Sequence, residues 1–191
     1  MQRQVSKVTQ RCYGSLVTIS KLRDTLPRKT LVHLIQSLVF PHITYCLPAW
    51  APPTQQQRHR IDKVLNFATR IVTRKHRHEH ISTARRELGW MPFSTIVEYR
   101  DHMLVHSMVH QEQGPQRLKD LISYRADVSE RTTRTTTAGL LETYRCRLEA
   151  TKLTVPVRAV RKWNTLDSDV RGNTSANSFK KCVKGILMSS L

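Results

Sequence analysis

The sequence predicts a mainly α protein, with a three-helix bundle over residues 1–75 followed by a less regular helical C-terminal region. Three observations carry this. Apolar residues recur at three- and four-residue intervals along much of the 191-residue chain. Proline marks the joints between the periodic stretches. One stretch, residues 31–50 (LVHLIQSLVFPHITYCLPAW), holds no Lys, Arg, Asp or Glu in a chain of which 24% is charged. Such an uncharged island is the natural centre of a small core.

Taken in order, residues 2–26 place Val5, Val8, Cys12, Leu16, Ile19, Leu22 and Leu26 at helical spacing, with Arg3, Lys7, Arg11, Lys21 and Arg23 on the polar face. In the uncharged stretch Leu31, Leu34, Ile35, Leu38 and Val39 fall on one helical face. Pro27 suits the helix start, and Pro41 ends or kinks the helix. After Pro52-Pro53, Thr54 is an N-cap for a helix over residues 55–74, with Ile61, Leu65, Ala68 and Val72 on one face and Val64 and Ile71 beside it. Short connections between three such helices predict a compact bundle.

Residues 76–122 read as a basic loop and helical extension. The loop RKHRHEH (residues 74–80) leads into a short helix stopped at Gly89, then a helix over residues 93–113 carrying Ile96, Val97, Met103, Leu104 and Met108. Gly114-Pro115 ends that helix, and Pro115 opens a short one through Leu121 and Ile122. Residues 123–154 are rich in Thr and Arg and weakly periodic, which predicts a long loop or extended segments. Residues 155–191 form a C-terminal helical segment. It comprises a short helix opening at Pro156, a turn over 167–173, and a last helix capped by Thr174 or Ser175 that carries Phe179, Val183, Ile186 and Leu187.

A membrane span is not expected in residues 31–50, because Pro41 and Pro48 interrupt the run and His33, Gln36 and His42 lie within it. The N-terminal MQRQVSKVTQ has no apolar signal core, so secretion is not expected. Cys12, Cys46, Cys146 and Cys182 are far apart with no C-x-x-C, the pattern of free thiols in a reducing compartment.

Charge is the strongest functional signal. Lys and Arg number 32 against 14 Asp and Glu, a formal +18, which points to a polyanion, with nucleic acid as the default partner. The excess is uneven. Residues 1–29 hold seven basic and one acidic residue (+6), and residues 54–86 nine and two (+7). Residues 145–184 hold ten and three (+7), whereas residues 87–116 hold one and four (−3). The candidate phosphate contacts are Lys21, Arg23, Arg28, Lys29, Arg58, Arg60, Lys63, Arg70, Arg74, Lys75 and Arg77. Contacts of this kind carry no sequence specificity.

Catalytic and cofactor signals are weak. A two-metal polymerase or nuclease needs clustered carboxylates. The acids here are scattered, and the close pair Asp167 and Asp169 falls in the predicted turn. No catalytic residue, cofactor or metal site is expected. His102, His106 and His110 recur every four residues and so form one stripe of the fourth helix, but no complete metal-ligand set accompanies them. They are expected as polar residues edging its apolar face. His76, His78 and His80 extend the basic loop. Trp50, Trp90 and Trp163 stand next to helix ends and are expected to pack there.

The order of motifs resembles the region downstream of the polymerase core in reverse transcriptases of non-LTR (LINE-type) retrotransposons, especially jockey-like elements. The resemblance begins with Leu38-Val39, Pro41-His42, Tyr45-Cys46 and Trp50, and continues through Asn66, Phe67, Ala68, Arg70 and Ile71. Leu88-Gly89-Trp90-Met91-Pro92, then Gly114-Pro115 with Leu118, and then Arg131-Thr132-Thr133-Arg134 follow in the same order. It closes with Arg158-Ala159, Trp163-Asn164-Thr165-Leu166 and Ser178-Phe179-Lys180, and so spans nearly the whole chain. Asp167 departs from the Pro usual in the family, and Leu65 from a frequent Gln.

The resemblance implies a thumb-like bundle and post-thumb region, with the catalytic aspartates of the palm elsewhere. It implies a non-catalytic, sequence-tolerant grip on the backbone of an RNA–DNA hybrid or other duplex, within an intracellular, nuclear or cytoplasmic ribonucleoprotein. Two other readings stay open: an inert remnant of a truncated element, and a host-recruited protein that binds an acidic partner.

Overall fold

A computed structural model describes residues 2–52, 54–128 and 139–190. The chain is mainly α. Among the described residues, strand pairing amounts to one isolated antiparallel bridge between Tyr124 and Leu141. The chain divides into two compact units, Met1–Ile96 and Val97–Leu191. No helix among the described residues is long and apolar enough to cross a membrane. The Arg131-Thr132-Thr133-Arg134 segment lies outside the described residues.

In the first unit, α1 (Gln2–Lys21) buries Val5, Val8, Cys12, Leu16 and Ile19. It stops before Leu22, which is exposed, so the predicted continuation to Leu26 does not form. The uncharged stretch is not one helix. It forms α2 (Arg28–Leu38), α3 (Phe40–Thr44) and α4 (Leu47–Trp50), broken at Val39 and at Tyr45-Cys46. Leu31, Ile35, Val39, Ile43 and Leu47, spaced by four, are all fully buried. In an unbroken helix a four-residue stripe drifts by about 40° per step. The two breaks bend the chain so that the stripe keeps facing the core. For the same reason Leu34 is only half-buried and Leu38 is 49% exposed, against the face predicted for them: each lies about 60–100° to one side of its neighbours in the buried row. Each buried aliphatic side chain contributes about 1.5–3 kcal/mol.

After Thr54, whose Oγ1 accepts the Gln57 N–H at 3.4 Å, α5 (Gln55–Thr73) buries Ile61, Val64, Leu65, Ala68, Ile71 and Val72, the face expected. α1 packs on α5, α2 and α3. α5 ends at Arg74 in the left-handed region, φ 56°. α6 (Ser82–Glu87) closes on Gly89 at φ 66°. The Gly89 N–H bonds to Arg86 O at 2.9 Å and the Trp90 N–H to Arg85 O at 3.0 Å, the paired bonds of a Schellman cap.

Arg85 secures this segment to α5. Its buried guanidinium donates to Asp62 Oδ1 (3.0 Å), Asn66 Oδ1 (3.0 Å) and Met91 O (2.8 Å), while Asp62 Oδ1 also accepts the Phe93 N–H at 3.0 Å. Trp90 meets Phe40 edge to face at 5.1 Å, and Trp50 lies 6.3 Å from Phe93. The first unit therefore continues to Ile96, past the three helices themselves.

α7 (Phe93–His110) starts in the first unit and belongs to the second from Val97 on. Short helices α8 (Gln116–Lys119), α9 (Arg125–Val128) and α10 (Glu149–Lys152) follow, then α11 (Val155–Asn164). The predicted turn at 167–173 contains a short helix, α12 (Ser168–Arg171), and α13 (Ala176–Ser189) is last. Neither Thr174 nor Ser175 caps α13 with its side chain. Asn173 Oδ1 accepts the Ser175 N–H at 3.1 Å instead, and Ile186 faces out.

The core of this unit gathers Val105, Met108, Leu141, Ala159, Val160, Trp163, Phe179, Val183 and Leu187. Asn164 clasps the Leu141 backbone from both sides, accepting its N–H at 3.0 Å and donating to its carbonyl at 2.8 Å. Arg158 grips the buried Asp101 with two bonds, 2.6 and 2.8 Å.

Two outcomes follow from this packing. Asp101→Ala leaves the Arg158 guanidinium without its carboxylate and should cost about 3–5 kcal/mol in urea unfolding. Burial pushes the Cys12 thiol up to about 11, whereas Cys46 and Cys182 are exposed. In a thiol-reagent time course Cys46 and Cys182 should react at once, and Cys12 only as the first unit unfolds.

Candidate nucleic-acid interface

The eleven basic candidates are not equivalent. Arg23, Lys63, Arg70, Lys75 and Arg77 line one groove of about 450 Å³. The others in that lining are Tyr13, Ser20, Phe67 and Ile71, and no carboxylate is among them. Tyr13 and Phe67 form an aromatic pair with ring centroids 6.1 Å apart. The groove arises because α1 and α5 pack along their apolar faces, which leaves Tyr13 and Phe67 side by side just outside the core. Lys63 and Arg70 on α5, Arg23 just after α1, and Lys75 and Arg77 just after α5 then surround them. Arg28, Arg74 and Lys75 contribute to an adjoining depression of about 550 Å³ that also holds Glu87.

Hydrogen bonding separates the cations that build the surface from those left to solvent. Arg70 donates to the carbonyls of His76 (3.2 Å), Arg77 (3.0 Å) and Glu79 (3.4 Å), so it holds the 74–80 loop in place. Lys75 donates to His80 O at 3.2 Å and Arg74 to Arg23 O at 3.2 Å. The Glu79 carboxylate, the one acid of that loop, accepts the His76 N–H at 2.6 Å. The charged ends of Lys63 and Arg77 make no hydrogen bond or ion pair among the described residues. They are the members of the groove most available to an anion.

Lys21 and Lys29 are exposed outside both depressions, at the end of α1 and in the first turn of α2. Arg58 donates to Pro52 O at 2.9 Å and steadies the entry to α5, and Arg60 reaches Ser6 Oγ at 3.5 Å. Tyr13 and Phe67 were not among the sequence candidates. Each belongs to a helix whose apolar stripe passes next to it, and only the packing of α1 on α5 brings the two rings together.

The histidine stripe corrects the expectation of polar edge residues. His102 is 1% and His106 0% exposed, inside the second unit. The Asn173 and Arg171 carbonyls can only accept, so His106 and His110 each donate an Nε2–H, at 2.8 and 2.7 Å. The His106 ring stacks on Phe179 with centroids 4.2 Å apart. α7 is covered on nearly every side, so polar residues were placed inside where no apolar stripe marked them. Among the described residues, no group of three or more His, Cys, Asp or Glu is placed to hold a metal ion. Asp167 and Asp169 are exposed at the start of α12, where carboxylates suit a helix N-terminus.

No protein-family model matches this chain, and neither a curated protein nor a solved structure matches it.

Burial holds His106 below the usual imidazole range, the bond to Asn173 opposing and nearby His110 reinforcing the shift. Contact with His102, aided by Lys162, likewise holds Glu98 below the usual carboxylate range. Both folded values are depressed, so both contributions are present at neutral pH and are lost on acidification. The His106 contribution is full above the ordinary 6.5 and falls as pH drops through the folded value; that of Glu98 follows below 4.5. Thermal melts should show stability declining from pH 7 to 5, with a smaller decline in His106→Gln, whose amide can still donate to Asn173.

Proposed function

We propose that the first unit binds the sugar–phosphate backbone of a nucleic-acid duplex without catalysis and without reading sequence. This is the role that the thumb region of a jockey-like non-LTR retrotransposon reverse transcriptase would have on its primer–template. The observation that carries the reading is the groove in which Arg23, Lys63, Arg70, Lys75 and Arg77 surround Tyr13 and Phe67 with no acid in the lining. A surface of solubilising charge would mix both signs. Five cations around one concave, partly apolar strip fit a curved row of phosphates with sugars against the rings.

The division of labour among the cations supports the same reading. Arg70 organises the loop that presents Arg77, so part of the ordering cost is met before any ligand arrives. Lys63 and Arg77 then meet phosphate and release counterions. The proposal gives this chain no polymerase chemistry of its own. Metal-dependent nucleotide incorporation by the purified protein would contradict it.

The test is a salt series on RNA–DNA hybrid and duplex DNA. If about three to five phosphates are engaged, log Kobs should fall against log salt with a slope of about −2.7 to −4.5. Lys63→Ala and Arg77→Ala should each weaken binding equally across sequences and reduce the slope by about 1. A salt-independent affinity, or slopes untouched by both substitutions, would sink the reading.

A further inference from the structure

We propose that the first unit carries a second nucleic-acid groove that takes an unpaired strand, with a base stacked on Tyr45 and neighbouring phosphates on Lys7 and Arg11. This groove, about 490 Å³, lies between α1 and α3 and is lined by Lys7, Arg11, His42 and Tyr45 among others. It is on the other flank of α1 from Tyr13. At about 100° per residue, Lys7 and Arg11 lie nearly opposite Tyr13 and Ser20, with the buried row between the two sides.

Three features point to a ligand. Tyr45 is 76% exposed, yet its backbone is fixed. Its N–H bonds to Pro41 O at 2.9 Å, its carbonyl accepts the buried Trp50 indole N–H at 2.7 Å, and Cys46 follows in the left-handed region at φ 47°. A left-handed non-glycine residue costs about 1–2 kcal/mol. That cost is borne at the joint which turns Tyr45 outward. The charged ends of Lys7 and Arg11 sit one turn apart and make no hydrogen bond or ion pair among the described residues. No carboxylate lines the groove, and residues 1–61 contain only Asp24.

The ring decides the class of partner. Lys7 and Arg11 alone would suit a duplex, a single strand or an acidic peptide. An open aromatic face on a fixed backbone gains most from a base that is free of its own stack, and that is available only in an unpaired strand. The proposal does not depend on the Tyr13–Phe67 groove, and the two can be tested apart.

The experiment uses the full chain and fluorescence anisotropy with oligothymidylate, a matched abasic strand and a matched duplex. Tyr45→Ala should weaken oligothymidylate binding by about 5- to 150-fold and leave duplex binding unchanged, with Tyr45→Phe close to wild type. Lys7→Ala with Arg11→Ala should weaken oligothymidylate binding and reduce its salt slope by about 1.4. Lys63→Ala with Arg77→Ala should weaken duplex binding only. If duplex binding is absent while Tyr45→Ala still weakens oligothymidylate, the first reading fails and this one stands. Wild-type affinity of Tyr45→Ala for oligothymidylate, with helicity intact by circular dichroism, overturns the proposal. So does an abasic strand bound as tightly as oligothymidylate, or displacement by polyglutamate as readily as by oligothymidylate.

Discussion

The N-terminal two-thirds of the first unit must fold with almost no acid to pair its cations. Residues 1–61 hold nine Lys and Arg against one carboxylate, Asp24. Ion pairs inside that segment cannot bind its helices together, so the unit relies on the buried row from Leu31 to Leu47 and the matching faces of α1 and α5. Where the cations must be anchored, backbone carbonyls take the place of missing carboxylates. Arg58 uses Pro52, Arg70 uses His76, Arg77 and Glu79, Arg74 uses Arg23, and Lys75 uses His80. A carbonyl orients a guanidinium without cancelling its charge. The surface therefore gains order and keeps its positive field, and that combination makes it useful toward a polyanion.

The second unit solves the opposite problem. It ties two of its acids to partners: the buried Asp101 to Arg158, and the half-buried Glu98 to His102 and Lys162. With Asn164 on Leu141 and His106 on Asn173, these contacts give direction to a core that apolar packing alone would leave less specific. Their worth depends on every partner being present, as does that of the Arg85–Asp62–Asn66 network in the first unit.

Much of the fold was legible in the sequence because helical periodicity and capping are local. The α5 face, the Thr54 cap and the Gly89 stop are of this kind. The central stretch was harder. A single helical wheel drawn from Leu31 to Val39 includes Leu34 and Leu38, and nothing local to those residues says that the breaks at Val39 and Cys46 favour the four-residue row. Nothing local marks Arg85 for burial, since that burial depends on Asp62 and Asn66, some twenty residues earlier. The candidate groove was half legible. Its charges were visible as a segmental excess, while Tyr13 and Phe67 meet only through the packing of α1 on α5. The burial of His106 needed Phe179 and Asn173, far along the chain.

The interrupted row at the centre of the first unit has a consequence for how such a chain can vary over time. Its five buried side chains are held in phase by their constant four-residue spacing across two bends at fixed places in the chain, so length is constrained more tightly than identity. Exchange of one aliphatic for another of similar volume changes packing slightly. Insertion or loss of one residue between Leu31 and Val39 turns one end of the row by about 100° against the other and moves polar neighbours such as Gln36 toward the core. Divergent relatives of this segment should therefore differ freely in sequence and conserve its spacing, with insertions and deletions collecting in the loops on either side.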